Sequence, residues 1–186
     1  MLQLCSVPDS AGPFRPVDLL RVLVDQGVDF ILIGGLAAAA HGSPYATVDV
    51  DIVPRRERAN LDRLSGALRT LETRVYVSAQ ESVRFDHDGA SLADAQVWNL
   101  STAFGGLDIT YAPAGTDGFS DLAQRAEPID VGGVTVRVAA LEDIVRSKEA
   151  AGREKDRVVL PALRRLLDLT SSQRRGATGR QRRPRG

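Results

Sequence analysis

Residues 28–53 read Val-Asp-Phe-Ile-Leu-Ile-Gly-Gly-Leu-Ala-Ala-Ala-Ala-His-Gly-Ser-Pro-Tyr-Ala-Thr-Val-Asp-Val-Asp-Ile-Val. The apolar run Phe30 to Ile33 ends at Gly34-Gly35, and small residues follow over one or two helical turns. A second strand-like run then alternates Val48, Val50 and Ile52 with Thr47, Asp49 and Asp51. Side chains alternate faces along a strand. The aliphatics are therefore expected on one face, and Thr47, Asp49 and Asp51 on the other.

Two aspartates on one face of a β-branched run need a physical reason. Aspartate is depleted in strands, and carboxylates two residues apart on one face lie within roughly 7 Å and repel. A solvated edge strand would tolerate them. A divalent cation between them would use them, because hard oxygen ligands suit Mg²⁺, with Mn²⁺ as a substitute. The glycine pair upstream lets backbone N–H groups approach a phosphate closely. A phosphate cradle beside a metal-binding carboxylate pair is a site for a nucleoside triphosphate.

Gly34-Gly35, a short helix, His41-Gly42 and then Thr47-Val48-Asp49-Val50-Asp51 together resemble the core motif of the polymerase-β-type nucleotidyltransferases. Within that superfamily the chain is most similar to the AbiEii and MenT-type enzymes, the toxin halves of bacterial toxin–antitoxin pairs. The resemblance spans about residues 16–169. It departs at Leu36, where the family often has Ser or Thr, and at Tyr45, where relatives often have Arg. It implies an α/β (α+β) fold, with a mixed twisted sheet carrying the acidic residues on one face and helices on the other. It also implies a third acidic residue on a later strand. Asp108 meets that requirement, standing on the polar side of Leu107 to Tyr111 after Thr102 and Gly105. Asp49, Asp51 and Asp108 are then the expected metal ligands for two Mg²⁺ ions, and Gly34 and Gly35 the phosphate-contacting turn.

The string Lys148-Glu-Ala-Ala-Gly-Arg153-Glu-Lys155-Asp156 resembles the family's lysine-to-aspartate signature. The resemblance places Lys148 and Arg153 on the nucleotide, with Asp156 orienting them, and Lys155 is expected to matter little. A surface helix–turn–helix is the reading without the upstream motif. The activity implied is transfer of a nucleoside monophosphate from an NTP to the 3′ end of tRNA, opposed by an antitoxin protein. A small-molecule acceptor, a protein acceptor and a catalytically dead binding module are the alternatives.

Composition sets the frame. The chain has 186 residues, 43% hydrophobic and 26% charged, as in an ordinary globular domain. No apolar stretch reaches the 18 residues of a membrane span. Neither a signal peptide nor a membrane partner is expected, and the single cysteine, Cys5, fits a reducing, cytoplasmic setting. Net charge is zero, but residues 173–186 hold six of the 24 basic residues and no acid. The remainder is acidic by about six charges.

Four segments are expected: a flexible arm over 1–14, a nucleotidyltransferase core over 15–139, helices completing the cleft over 140–170, and a disordered basic tail over 171–186. Inside the core, Leu19, Leu20, Leu23 and Val24 predict a helix from Pro16 to Gly27, and Leu61, Leu64, Leu68 and Leu71 another over 54–71. Arg55, Arg56 and Arg58 at the start of the second helix could meet a polyanion or simply solvent. Asp86 to Gly89 and Gly105-Gly106 are expected turns, and Gly132-Gly133 the turn of a hairpin over 129–138. Pro161 is expected to bend or restart the last helix.

Overall fold

The apolar run and the Asp-x-Asp run become neighbouring strands. In the computed structural model, which describes residues 13–76 and 82–180, β1 (Phe30–Ile33) pairs antiparallel with β2 (Asp49–Pro54), Ile33 opposite Asp51. The small-residue segment between them is helix α2 (Gly34–Ala40). Before β1 comes α1 (Pro16–Asp25), with Pro16 in its first turn, and after β2 comes α3 (Arg58–Thr70).

Strands β3 (Arg74–Tyr76) and β4 (Ser82–Arg84) form an antiparallel pair, and α4 (Gly89–Asp94) follows. Strands β5 (Val97–Thr102) and β6 (Gly105–Thr110) make a tight hairpin. A short α5 (Phe119–Leu122) leads to the hairpin of β7 (Glu127–Asp130) and β8 (Thr135–Val138). Two helices, α6 (Leu141–Ala151) and α7 (Glu154–Arg180), end the described chain.

Among the described residues the strands form one mixed sheet in the order β4-β3-β5-β6-β2-β1-β8-β7. Its centre is a parallel pair, β2 on β6. Val50, Ile52, Leu107 and Ile109 on that pair are fully buried, in one core with Leu19, Leu20 and Leu23 of α1 and Leu61, Leu64 and Leu68 of α3. Helices α1 and α3 thus cover the apolar face, and the carboxylates are left on the other. Val48 lies outside β2 and is 58% exposed, so it does not join Val50 and Ile52 in the core.

Four further expectations change. Gly105-Gly106 is not a turn but the start of β6, and the hairpin turns one step earlier at Ala103-Phe104. A Cβ at Gly106 would just reach contact with the Asp49 Cβ, at 3.4 Å, and Gly105, at φ +112, packs under Phe14. Asp86 to Gly89 leads into α4, which Asp88 caps by accepting the Ser91 N–H at 2.9 Å. Pro161 lies within α7 rather than restarting it. Helix α7 also continues through 171–180, part of the stretch expected to be disordered, since a helix already packed at its start propagates cheaply. Residues 1–12 of the expected arm and 181–186 of the tail lie outside the described residues.

The arginines at the start of α3 are tied inward. Arg55 and Arg137 grip the two oxygens of Asp29 at 2.6 and 2.5 Å, and both guanidiniums stack on Phe119. Arg56 lies over the Tyr111 ring and donates to the Ala93 carbonyl, while Arg58 pairs with Asp62 at 3.0 Å. They brace the fold instead of forming a free basic patch. Among the described residues no helix is long and apolar enough to cross a membrane.

Candidate active site

Register builds the polar face. Asp51 on β2 pairs directly with Asp108 on β6, and Asp108 pairs with Asn99 on β5, so a row crosses three adjacent strands. Asp49 stands opposite Gly106, one step along the same face. Neighbouring strands are only about 4.8 Å apart, which crowds the Asp51 and Asp108 carboxylates together. Burial, then Asp49 and Asp108, push Asp51 up to about 7. Burial and then Asp49 push Asp108 up to about 6.

The glycine turn is shaped around these carboxylates. A Cβ on Gly34 would fall on Asp51 Oδ2, and one on Gly35 would lie 2.6 Å from Thr47 Oγ1. Gly34 also sits at φ +72. Thr47 in turn donates from Oγ1 to Asp49 Oδ1 at 2.8 Å. The glycines thus let the β1–α2 backbone lie directly against the acidic strand. Gly34→Ala is expected to lose roughly 2–4 kcal/mol of stability, from the left-handed backbone and the collision with Asp51 together. Urea denaturation checks it, and an unchanged midpoint would refute this account. His41, by contrast, is structural: its Nε2 lies 2.8 Å from the Ala139 carbonyl, joining α2 to the start of α6.

The opposite wall comes from α6 and α7. Gly152 takes a left-handed conformation at φ +60 and ends α6, so Lys148 and Arg153 face one another across a sharp break. Asp156, with no exposed surface, binds both: Lys148 Nζ at 3.1 Å and Arg153 Nε at 2.7 Å. Burial would raise the Asp156 pKa, but the hydrogen bonds from Arg153 and Lys148 outweigh it and hold it below the usual carboxylate range.

All the residues singled out in the sequence line one cavity of about 210 Å³: Gly34 and Gly35, Asp49, Asp51 and Asp108, and Lys148, Arg153 and Asp156. Lys155, set aside in the sequence, lines it as well. Tyr45 stands in the same wall. A second cavity, of about 360 Å³, shares Gly34, Asp51, Asp108, Lys148 and Arg153. It extends past Asn99, Thr110 and Ser147 to a largely apolar end. Asp51 and Asp108 therefore stand where two chambers meet. Asn99 escaped the sequence reading because only the β5–β6 register shows that it flanks Asp108.

The donor set suits a hard dication: carboxylate oxygens, two of them on register neighbours, destabilised by their own repulsion. Among the described residues, however, no three acidic or imidazole groups close on a common point. Asp49 gives one of its oxygens to the Thr47 hydroxyl.

No protein-family model and no curated protein matches the sequence. Solved structures do match. A candidate nucleotidyltransferase from Thermotoga maritima superposes with a TM-score of 0.52 at 16% identity, covering 84% of this chain and 96% of that one. The antibiotic-resistance factor ANT(2″)-Ia, solved with adenylyl-2″-tobramycin, aligns with a TM-score of 0.45 at 17% identity, over 80% of this chain and 94% of its own. The architecture is the nucleotidyltransferase fold, as the first of these similarities shows.

Proposed function

We propose that this chain is a metal-dependent nucleotidyltransferase. One observation carries the reading: Asp51 and Asp108, in register on adjacent parallel strands, meet at the junction of two chambers, facing Lys148 and Arg153. Asp49, Asp51 and Asp108 would hold Mg²⁺, which supplies charge neutralisation at the triphosphate and the reacting oxygens. Gly34 and Gly35 leave backbone open to the phosphates, and Lys148 and Arg153 offset their charge. An acceptor hydroxyl in the larger chamber attacks the α-phosphorus, the bond to the β-phosphate oxygen breaks, and pyrophosphate leaves. The hydroxyl proton passes to Asp108, the carboxylate beside that chamber.

The resemblance to the AbiEii and MenT-type toxins makes the 3′ end of tRNA the first acceptor, with blocked aminoacylation as the consequence and an antitoxin as protein partner. A small hydroxylated molecule is the second reading. The larger chamber favours it, because its lining beyond the shared residues offers no cation free to bind a phosphate backbone. The test incubates the protein and Mg²⁺ with each α-³²P-labelled NTP and total RNA, soluble small molecules or protein extract. Label in RNA 3′ ends, with none from γ-³²P substrates, is expected. Label in small molecules selects the second reading, and label in none of the three overturns nucleotidyl transfer.

A further inference from the structure

The smaller chamber sets its charged groups beside an apolar lining that includes Ala38, Ala46, Val159 and Leu163, and Tyr45 is the one aromatic ring among the described residues of its wall. It is 40% exposed, belongs to no part of the hydrophobic core, and has no aromatic or cationic partner on its ring among the described residues. Among those residues it makes only two polar contacts, both long and exposed. Its N–H reaches Ser43 Oγ at 3.4 Å, and its hydroxyl reaches the Val158 carbonyl of α7 at 3.5 Å. Val158 beside it is 61% exposed. An exposed aromatic ring in the wall of a cavity that also holds Lys148, Arg153 and Lys155, and carboxylates suited to a dication, matches a ligand with an anionic, metal-binding end and a flat, apolar end.

We infer that Tyr45 is the platform on which the base of the incoming nucleoside triphosphate stacks, so that the smaller chamber takes the nucleotide and the larger one the acceptor. The inference rests on the nucleotidyltransferase reading and adds to it the group that receives the base. Every base has a π-face, so a stacking platform accepts all four. Specificity for one nucleotide is therefore not set at Tyr45, and purines should bind better than pyrimidines through their larger area.

Calorimetry on the full chain with Mg²⁺ tests this, using ATP, CTP, inorganic tripolyphosphate and an RNA oligonucleotide ending in adenosine. Tyr45→Ala should weaken ATP roughly tenfold, and CTP less, the size expected for one lost stacking contact. Tripolyphosphate affinity should not move, and Tyr45→Phe should bind ATP as the parent does. An unchanged ATP affinity in Tyr45→Ala overturns the assignment, as does an equal loss for tripolyphosphate, which would make Tyr45 a support for the loop. A loss confined to the oligonucleotide would put the ring on the acceptor and overturn it too. If the parent binds neither ATP nor tripolyphosphate, the nucleotidyltransferase reading itself fails, a result distinct from the other three.

Discussion

Asp51→Asn is expected to cut nucleotidyl transfer by about a thousandfold or more and, in metal-free protein, to raise the melting temperature. Both effects come from the same crowding. Asp51 is partly buried, lies in register with Asp108 and shares a face with Asp49. Its pKa is pushed up to about 7, first by burial and then by those two carboxylates. A carboxyl whose pKa is raised on folding favours the folded state most below about pH 4, and that advantage is lost as pH rises towards 7. The full shift corresponds to at most about 4 kcal/mol. Solvent reaching the cavity screens part of it, leaving about 1–2 kcal/mol, or roughly 2–8 °C in Tm.

Melting curves in EDTA from pH 4 to 8 should therefore fall for the parent and stay flatter for Asp51→Asn. Added Mn²⁺ should raise the parent's Tm and do less for the variant. Normal turnover by Asp51→Asn would end the assignment of this carboxylate to the metal. Parallel melting curves would end the electrostatic account.

Asp156→Ala should be the most destabilising change in the cleft. Asp156 has no exposed surface and the Lys148 side chain only 15%, so removing the carboxylate leaves an ammonium buried without its partner. Breaking a buried pair on one side costs about 3–5 kcal/mol, or roughly 6–20 °C in Tm. The pH dependence runs opposite to that of Asp51. Asp156 is held below the usual carboxylate range, so its contribution is complete above about pH 4 and disappears as pH falls through its folded value. The stability gap between parent and Asp156→Asn should stay constant above about pH 5 and close in stronger acid. Lys148→Ala should instead keep most of the stability, since Arg153 still holds Asp156 at 2.7 Å, yet lose transfer severely. Equal thermal losses for Asp156→Ala and Lys148→Ala would show that the pair is not organised around the aspartate.

The centre of the cleft was readable in the sequence because strand alternation is a strict rule: Asp49, Asp51 and Asp108 could only share a polar face if their neighbours were buried. Lys148, Arg153 and Asp156 came from resemblance, and no spacing argument alone would have joined them to carboxylates on β2 and β6. Asn99 stayed hidden, and Tyr45 and Lys155 were noticed without being placed in the cavity wall, because only the folded chain shows what lies opposite them. Gly105-Gly106 misled because glycine pairs usually mark turns. Here Gly105 opens β6 at φ +112 with Phe14 packed against it, a requirement invisible until Phe14 is placed over the hairpin. Helix α4 is six residues long, too short for helical periodicity to register.

The pairing of β2 with β6 has a consequence in time. Its two strands, ending at Pro54 and starting at Gly105, are separated by 50 residues, so the chain must close a long loop before Asp51 and Asp108 come together, and that closure is slow. The β5–β6 hairpin, closed by two residues, has no such delay. Like charges meet only in the last of these encounters. The step that creates the cleft is therefore the one most opposed by charge, and folding should quicken in mild acid or with a dication present, conditions that hardly touch the hairpin.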